Sequence, residues 1–213
     1  MKIIIFGASG GTGQHLVQQA LAANHIVTAF ARRPESILAA PAPGLTVIPG
    51  DVHDPAAVSA AIAGQDAVLS ALGARTLGRS DVLEVGVRNI LAGMAGHGVR
   101  RIIVLGAAGA TENASQHQGA VTRLLLKLVI ATLLREPFRS QREQEKLLEA
   151  SPAQFTVVRP PRLLDRPPFG HYRVQQDGLP PHGTTIPRAD VADFMIRQLT
   201  DSQWLRKGPY LAT

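Results

Sequence analysis

The sequence contains no cysteine. That absence excludes a disulfide framework, a thiolate metal site and a thiol nucleophile. Aromatic residues are scarce, at 4% of the chain, and only 4 of the 22 basic residues are lysine. The formal charge of +6 and an isoelectric point near 10.5 would by themselves invite a nucleic-acid partner. No basic stretch interleaved with aromatics and no recognition motif accompanies them, so the expectation is no nucleic acid. Long apolar runs are missing too. The most apolar late stretch, 124–134, is interrupted by Lys127 and falls well short of the roughly 20 residues that cross a bilayer. The opening run Ile3–Phe6 is too short for a signal-peptide core and leads into glycines rather than a cleavage site. A cytoplasmic protein without a membrane association is expected. Histidines are scattered, none at metal-ligand spacing with a carboxylate, so no metal is expected.

What is present is an alternation. Short β-branched runs occur at 3–6, 26–30, 46–48, 67–71, 102–105 and 155–158, with little polar alternation inside them. Near-continuous apolar strands belong to a sheet covered on both faces, hence a parallel one. Helical periodicity fills the intervals at 11–23, 55–63, 80–96, 119–135, 139–150 and 189–200. Asp54-Pro55 reads as an N-cap followed by proline at the first helical position. Ser80, Asp81 and Glu84 read as a capping arrangement, and Gly98 as a C-terminal stop. The pattern predicts one α/β domain over 1–213 with a doubly wound parallel sheet. Residues 159–187 are rich in proline and glycine and read as a loop-like substrate-side lobe.

The first strand runs into Gly7-Ala8-Ser9-Gly10-Gly11-Thr12-Gly13 and then a helix. Glycines at 7, 10 and 13 permit a tight turn, close approach of the backbone to a pyrophosphate, and tight helix–strand packing. The helix N-terminus then offers N–H groups and a partial positive charge to phosphate. Gly7, Ser9, Gly10, Gly11, Thr12 and Gly13 are therefore expected to hold a dinucleotide. At the end of the second strand an acid would hold an NAD ribose, but this chain has Arg32 and Arg33, with Glu35 the first acid. A guanidinium fork suits a 2′-phosphate, which favours NADP(H), with Arg32 weighted above Arg33. Asp51 and Val52 after the third strand are read as adenine contacts, in preference to a turn or cap role for Asp51. Ala71, Leu72 and Gly73 after the fourth strand, Arg75 beyond them and Ala107 after the fifth complete the expected lining.

Taken together, GASGGTG, the arginine after strand two, GDV at 50–52, GQDAVLSALG at 64–73, VGVRNILAGMAGHGVRRIIVLGA at 85–107, TVVRPPRLLD at 156–165 and IPRADVADFMIRQL at 186–199 resemble the atypical short-chain dehydrogenase/reductases. Within them the chain is most similar to the biliverdin reductase B, or NADPH flavin reductase, branch and its NmrA-like relatives. The resemblance implies a Rossmann fold, NADPH, Pro160 beside the cofactor, and hydride transfer to a flavin, biliverdin or quinone-like acceptor. The chain departs from that pattern. It has no Tyr with a Lys four residues on, since Tyr172 is followed by Gln176, which argues against alcohol–ketone and epimerase chemistry. Ala107 stands where that branch has a serine, Arg162 where it has a histidine, and 119–138 is a longer, basic and apolar insertion. The insertion suits a dimer face or a substrate lid, and oligomeric state is left open.

Two readings remain. One is a reductase in which the protein chiefly positions two rings. Arg75, Arg159, Arg162, Arg166, His171, Tyr172 and Arg173 are then the side chains near an anionic or planar acceptor. Arg162, His171 and Tyr172 are the candidates for a catalytic role, and Phe169 and Tyr172 for stacking. The other is a non-catalytic NADPH sensor that binds a partner protein.

Overall fold

The computed structural model describes residues 1–73, 78, 80–119 and 135–213. Six parallel strands form the central sheet: β1 (Lys2–Phe6), β2 (Ile26–Ala31), β3 (Leu45–Pro49), β4 (Ala67–Ser70), β5 (Arg101–Leu105) and β6 (Gln154–Val158). Their order is β3-β2-β1-β4-β5-β6. The described α-helices are α1 (Gly11–Ala22), α2 (Pro55–Ile62), α3 (Val82–His97), α4 (Arg135–Ala150) and α5 (Arg188–Arg197). This is the doubly wound arrangement that the apolar strand runs predict. The expected helix at 119–135 lies almost wholly outside the described residues.

Alternation along β1 shows how both faces are filled. Ile3 and Ile5 pack with Leu16, Val17, Val191 and Met195 under α1 and α5. Ile4 and Phe6 pack with Phe30, Ile62, Val87, Ile90 and Met94 under α2 and α3. Successive side chains of a strand point to opposite faces, so the two cores are separated by one sheet. The Phe6 and Phe30 rings, opposite one another in the β1–β2 register, meet with centroids 5.0 Å apart. Asp54 caps α2 as expected, accepting the N–H groups of Ala56 and Ala57 at 2.9 and 3.1 Å. Gly98 closes α3 in the left-handed region at φ 70°. The expected capping arrangement at α3 forms only in part, with Ser80 Oγ accepting the Val82 N–H at 3.5 Å. Asp81 is the N-cap but makes no cap hydrogen bond, because its carboxylate is engaged by His53 at 3.2 Å, and Glu84 pairs with Arg88 instead.

The loop-like reading of 159–187 needs correction. The segment contains β7 (Arg162–Leu164), β8 (Arg173–Gln175) and β9 (Thr185–Pro187), and β10 (Tyr210–Ala212) follows. β7 pairs with β9 in parallel, and β8 pairs with β10 antiparallel. Three-residue strands are too short for a period-2 signal, and their partners are distant in sequence, so composition alone reads them as loop.

Arg101 stitches this architecture together. It is buried at the start of β5 and donates to the Gln198 carbonyl from Nε and Nη2 at 3.0 and 2.6 Å. It also donates to the Gln154 carbonyl at 2.7 Å and to Thr156 Oγ1 at 2.8 Å. Burial pushes its pKa down to about 10, so it stays charged at neutral pH. A cation at the C-terminal end of α5 also complements the helix dipole. Arg101→Met would leave these acceptors buried and unpaired. We expect a loss of about 2–4 kcal/mol, read as a melting point lower by roughly 5–12 °C for a chain of this size.

Candidate functional site

The order in which successive strands are added to the sheet reverses between β1 and β4, and a crevice opens at the C-terminal ends of the strands at such a switch point. A cleft of about 540 Å³ lies there. Its floor is the turn after β1. Gly7 adopts φ +74°, and a side chain on it would overlap the Ala71 carbonyl. Gly13 lies beneath the turn, where a Cβ would overlap the Gly7 carbonyl oxygen. Gly10 N–H donates to Gly7 O at 3.0 Å, closing the turn. The first turn of α1 has no side-chain cap and no acid, so its first N–H groups have no acceptor from the helix itself. The buried Thr12 Oγ1 likewise has no partner. Unsatisfied donors at a dipole's positive end, in a cradle that a Cβ would fill, fit a dinucleotide pyrophosphate.

Of the residues expected to hold the cofactor, the cleft is lined by Gly7, Ser9, Gly10, Gly11 and Thr12, by Arg32, Val52, Ala71, Leu72 and Gly73, and by Ala107. Gly13 supports the cradle from below. Arg33 lies outside the lining; its carbonyl caps a short turn by accepting from Ser36 Oγ at 2.6 Å. Arg75 falls outside the described residues. Pro160 supports from behind, its carbonyl accepting the Ala108 N–H at 2.9 Å.

Asp51 turns to His53 rather than into the cleft. Its Oδ1 receives the His53 backbone N–H at 3.0 Å and contacts ring Nδ1 at 2.7 Å, while ring Nε2 reaches Asp81 at 3.2 Å. The two carboxylates hold the His53 pKa above its ordinary 6.5. The hydrogen bonds from His53 hold Asp51 below its ordinary 3.8.

The catalytic candidates are not brought to the cleft. Arg162 begins β7 with an exposed side chain. His171 is exposed, with Nδ1 at 3.0 Å from the Phe169 carbonyl. Tyr172 donates to Asp193 Oδ2 at 2.7 Å and sets its ring edge-on to Phe194. Burial first, and the Asp193 hydrogen bond second, raise its pKa well above the usual phenol value. It is an anchor for the lobe. The other loop arginines are similarly committed. Arg159 is mostly buried against Glu145 at 2.6 Å, Arg166 lies over the Phe169 ring at 4.8 Å, and Arg173 donates to the carbonyls of Pro181 and Thr213. Phe169 is covered on that side by Arg166 and neighbours His171.

Several lining residues were not anticipated from sequence. Pro137, Phe138 and Gln141 enter from the first turns of α4, Leu163 from β7 and Arg188 from the start of α5. Pro137, Phe138, Gln141 and Leu163 make, with Leu105–Ala107, a largely apolar wall of the cleft. Gln141 Oε1 accepts from the buried Gln144 at 3.0 Å, which leaves the Gln141 amino group as a donor on that wall. Among the described residues, the lining contains no Asp, Glu, His, Lys or Tyr. Also among the described residues, no group of three His, Asp or Glu converges as metal ligands, and no helix is long and apolar enough to span a membrane.

The comparisons with known proteins agree with this geometry. A family model described as NAD(P)H-binding matches residues 7–202. A 2-alkyl-3-oxoalkanoate reductase of Stenotrophomonas maltophilia is 28% identical over 219 aligned residues, which cover 92% of this chain and 64% of the reductase. An uncharacterized protein of Mycobacterium tuberculosis is 33% identical over 127 residues, covering 59% of this chain and 13% of that protein. The chain thus spans less than two thirds of the length of these relatives. Among solved structures, a wide-type short-chain dehydrogenase/reductase of Veillonella parvula in complex with NADP superposes with a TM-score of 0.82 at 20% identity, covering 100% of this chain and 94% of that one. The anaerobilin reductase ChuY of Escherichia coli O157:H7 gives 0.79 at 23% identity, covering 100% and 97%. At those identities the structural likenesses establish the fold alone.

The His53 bridge gives a pH signature. A His pKa raised by folding adds stability that is complete below about 6.5 and lost as pH rises through the folded value. The depressed Asp51 adds stability that is present above about 3.8 and lost as pH falls through its folded value. The bridge is therefore strongest between these limits. An NMR titration should place the His53 midpoint above 6.5 and show it falling towards 6.5 in Asp51→Asn.

Proposed function

The chain belongs to the NAD(P)H-binding family, and on that footing we propose that it is an NADPH-dependent reductase of planar acceptors, akin to the biliverdin reductase B and flavin reductase branch. One observation carries the reading. Among the described residues, the cleft joins a phosphate cradle and Arg32 at one end to an apolar wall without an Asp, Glu, His, Lys or Tyr at the other. Such a wall suits an acceptor that takes hydride without a protein-bound proton donor, such as a flavin, a biliverdin or a quinone.

Each part of the chain then has a role. Gly7–Thr12 and the first N–H groups of α1 hold pyrophosphate. Arg32 offers its guanidinium to a 2′-phosphate and is the basis for NADPH over NADH. Val52, Leu72 and Leu83 sandwich the adenosine half. Bound at the opposite end, the nicotinamide supplies hydride, while Leu105–Ala107, Phe138 and Leu163 exclude water from the ring face. Gln141 donates a hydrogen bond that orients the nicotinamide amide or an acceptor carbonyl. Residues 159–187 form the acceptor-side lobe of a single domain spanning 1–213.

A second reading, a non-catalytic NADPH sensor of the NmrA-like type, draws on the same lack of acid–base groups.

The test is NADPH oxidation at 340 nm with FMN, a biliverdin and a quinone. Turnover with at least one acceptor is the expected result. Tight NADP binding without turnover on any of them would instead support the sensor. Arg32→Ala should weaken NADPH binding by roughly 1–3 kcal/mol, the scale of a charge-assisted contact, with NADH nearly unchanged. Tyr172→Phe should retain the rate within about twofold and lower stability by about 1 kcal/mol, the worth of one hydrogen bond.

A further inference from the structure

Arg188 occupies a position that neither charge counting nor the glycine motif explains. It opens α5, yet its side chain runs back over the first residue of α1. A Cβ on Gly11 would stand 2.8 Å from both Cδ and Nε of Arg188 and 3.3 Å from its guanidinium carbon. The missing side chain at Gly11 is therefore what lets this cation lie on the phosphate cradle. Thr12 Oγ1, adjacent and buried without a partner, independently marks the cradle as awaiting an anion.

The same guanidinium reaches outward. Its Nε donates to Asp165 Oδ1 at 2.7 Å, and that carboxylate side chain is 80% exposed. A solvated ion pair of this kind contributes little to stability, so stability does not account for it. Asp165 ends the β7 segment. Beyond it, the buried Asp190 in the same first turn of α5 accepts the N–H groups of Phe169 and Gly170 at 2.9 and 3.1 Å, and Asp193 accepts from Tyr172. Asp190 and Asp193 thus fix the far end of the 162–172 segment, and Arg188 alone of these contacts connects its near end to the cradle.

We propose that Arg188 is a positioning residue that bridges the dinucleotide pyrophosphate and Asp165, so that cofactor loading fixes the 162–172 segment at the acceptor end. A guanidinium presents five N–H donors in a planar fork and holds two anions at once. The inference rests on the cleft being a dinucleotide site. Because pyrophosphate is common to both cofactors, Arg188 acts on NADPH and NADH alike, unlike Arg32.

Equilibrium titration followed by reduced-nicotinamide fluorescence, with hydrogen exchange of peptides covering 162–172, tests it. Arg188→Ala should weaken NADPH and NADH equally, by about ten- to a hundredfold, and leave adenosine 2′-phosphate binding unchanged. Asp165→Asn should bind NADPH within about threefold of wild type but lose the NADPH-induced exchange protection of 162–172 that wild type shows. If the alanine variant does not melt cooperatively, Arg188→Lys replaces it. Its ammonium cannot span both anions, so affinity should fall at least threefold and the protection should vanish. Affinity within twofold of wild type in the Arg188 variant, or unchanged protection in Asp165→Asn, would overturn the bridge. Failure of the wild-type protein to bind either dinucleotide would remove the underlying reading instead.

Discussion

The contact between the Gly7 carbonyl and the α-carbon of Gly13 sets the rest of the site. No side chain fits between them, so α1 presses directly on the turn that launches it. That approach aims the unsatisfied N–H groups of α1 along the crevice and fixes the angle at which its other face meets α5. Any widening would tilt α1, separate it from Val191 and Met195, and open the core on that side of the sheet. Ligand geometry and packing geometry are therefore one constraint.

Charge is handled differently at the two ends of the cleft. Near Arg32 the neighbourhood includes a carboxylate–imidazole–carboxylate chain that ties the β3 exit to the start of α3. At the far wall, carbon and backbone dominate among the described residues, with Gln141 as the polar exception. Several of the described arginines are committed to carbonyls, rings and carboxylates of the protein: Arg101 on helix and strand ends, Arg159 on Glu145, Arg206 on Ser151 and Ala153.

What was legible in the sequence was local. The β1–turn–α1 unit, the six sheet strands, the Asp54 cap and the Gly98 stop depend on residues a few positions apart, and each formed where the pattern placed it. What was not legible depended on distant partners. Arg159, Arg166 and Arg173 read as part of an anion-receiving cluster because a sequence shows charges without the groups that engage them. Tyr172 read as a stacking or catalytic residue because Asp193, 21 positions on, supplies its partner. Arg188 escaped notice because Gly11 and Asp165 lie far from it along the chain. The arginine that opens α5 directly after Pro187 was the one available signal. Phe138 ended the insertion and Gln141 lay in the expected helix 139–150, and no periodicity reveals where that helix sits against the sheet.

The pairing of β8 with β10 and of β7 with β9 also orders the assembly of the protein during synthesis. β1, α1, β2 and β3 lie within the first fifty residues and can associate as they emerge. The 159–187 segment lacks its last strand partner until residues 210–212 have left the ribosome. The β1–turn–α1 unit is thus made early, whereas Ala71 against Gly7 and Arg188 over Gly11 complete the cradle only as later parts of the chain emerge.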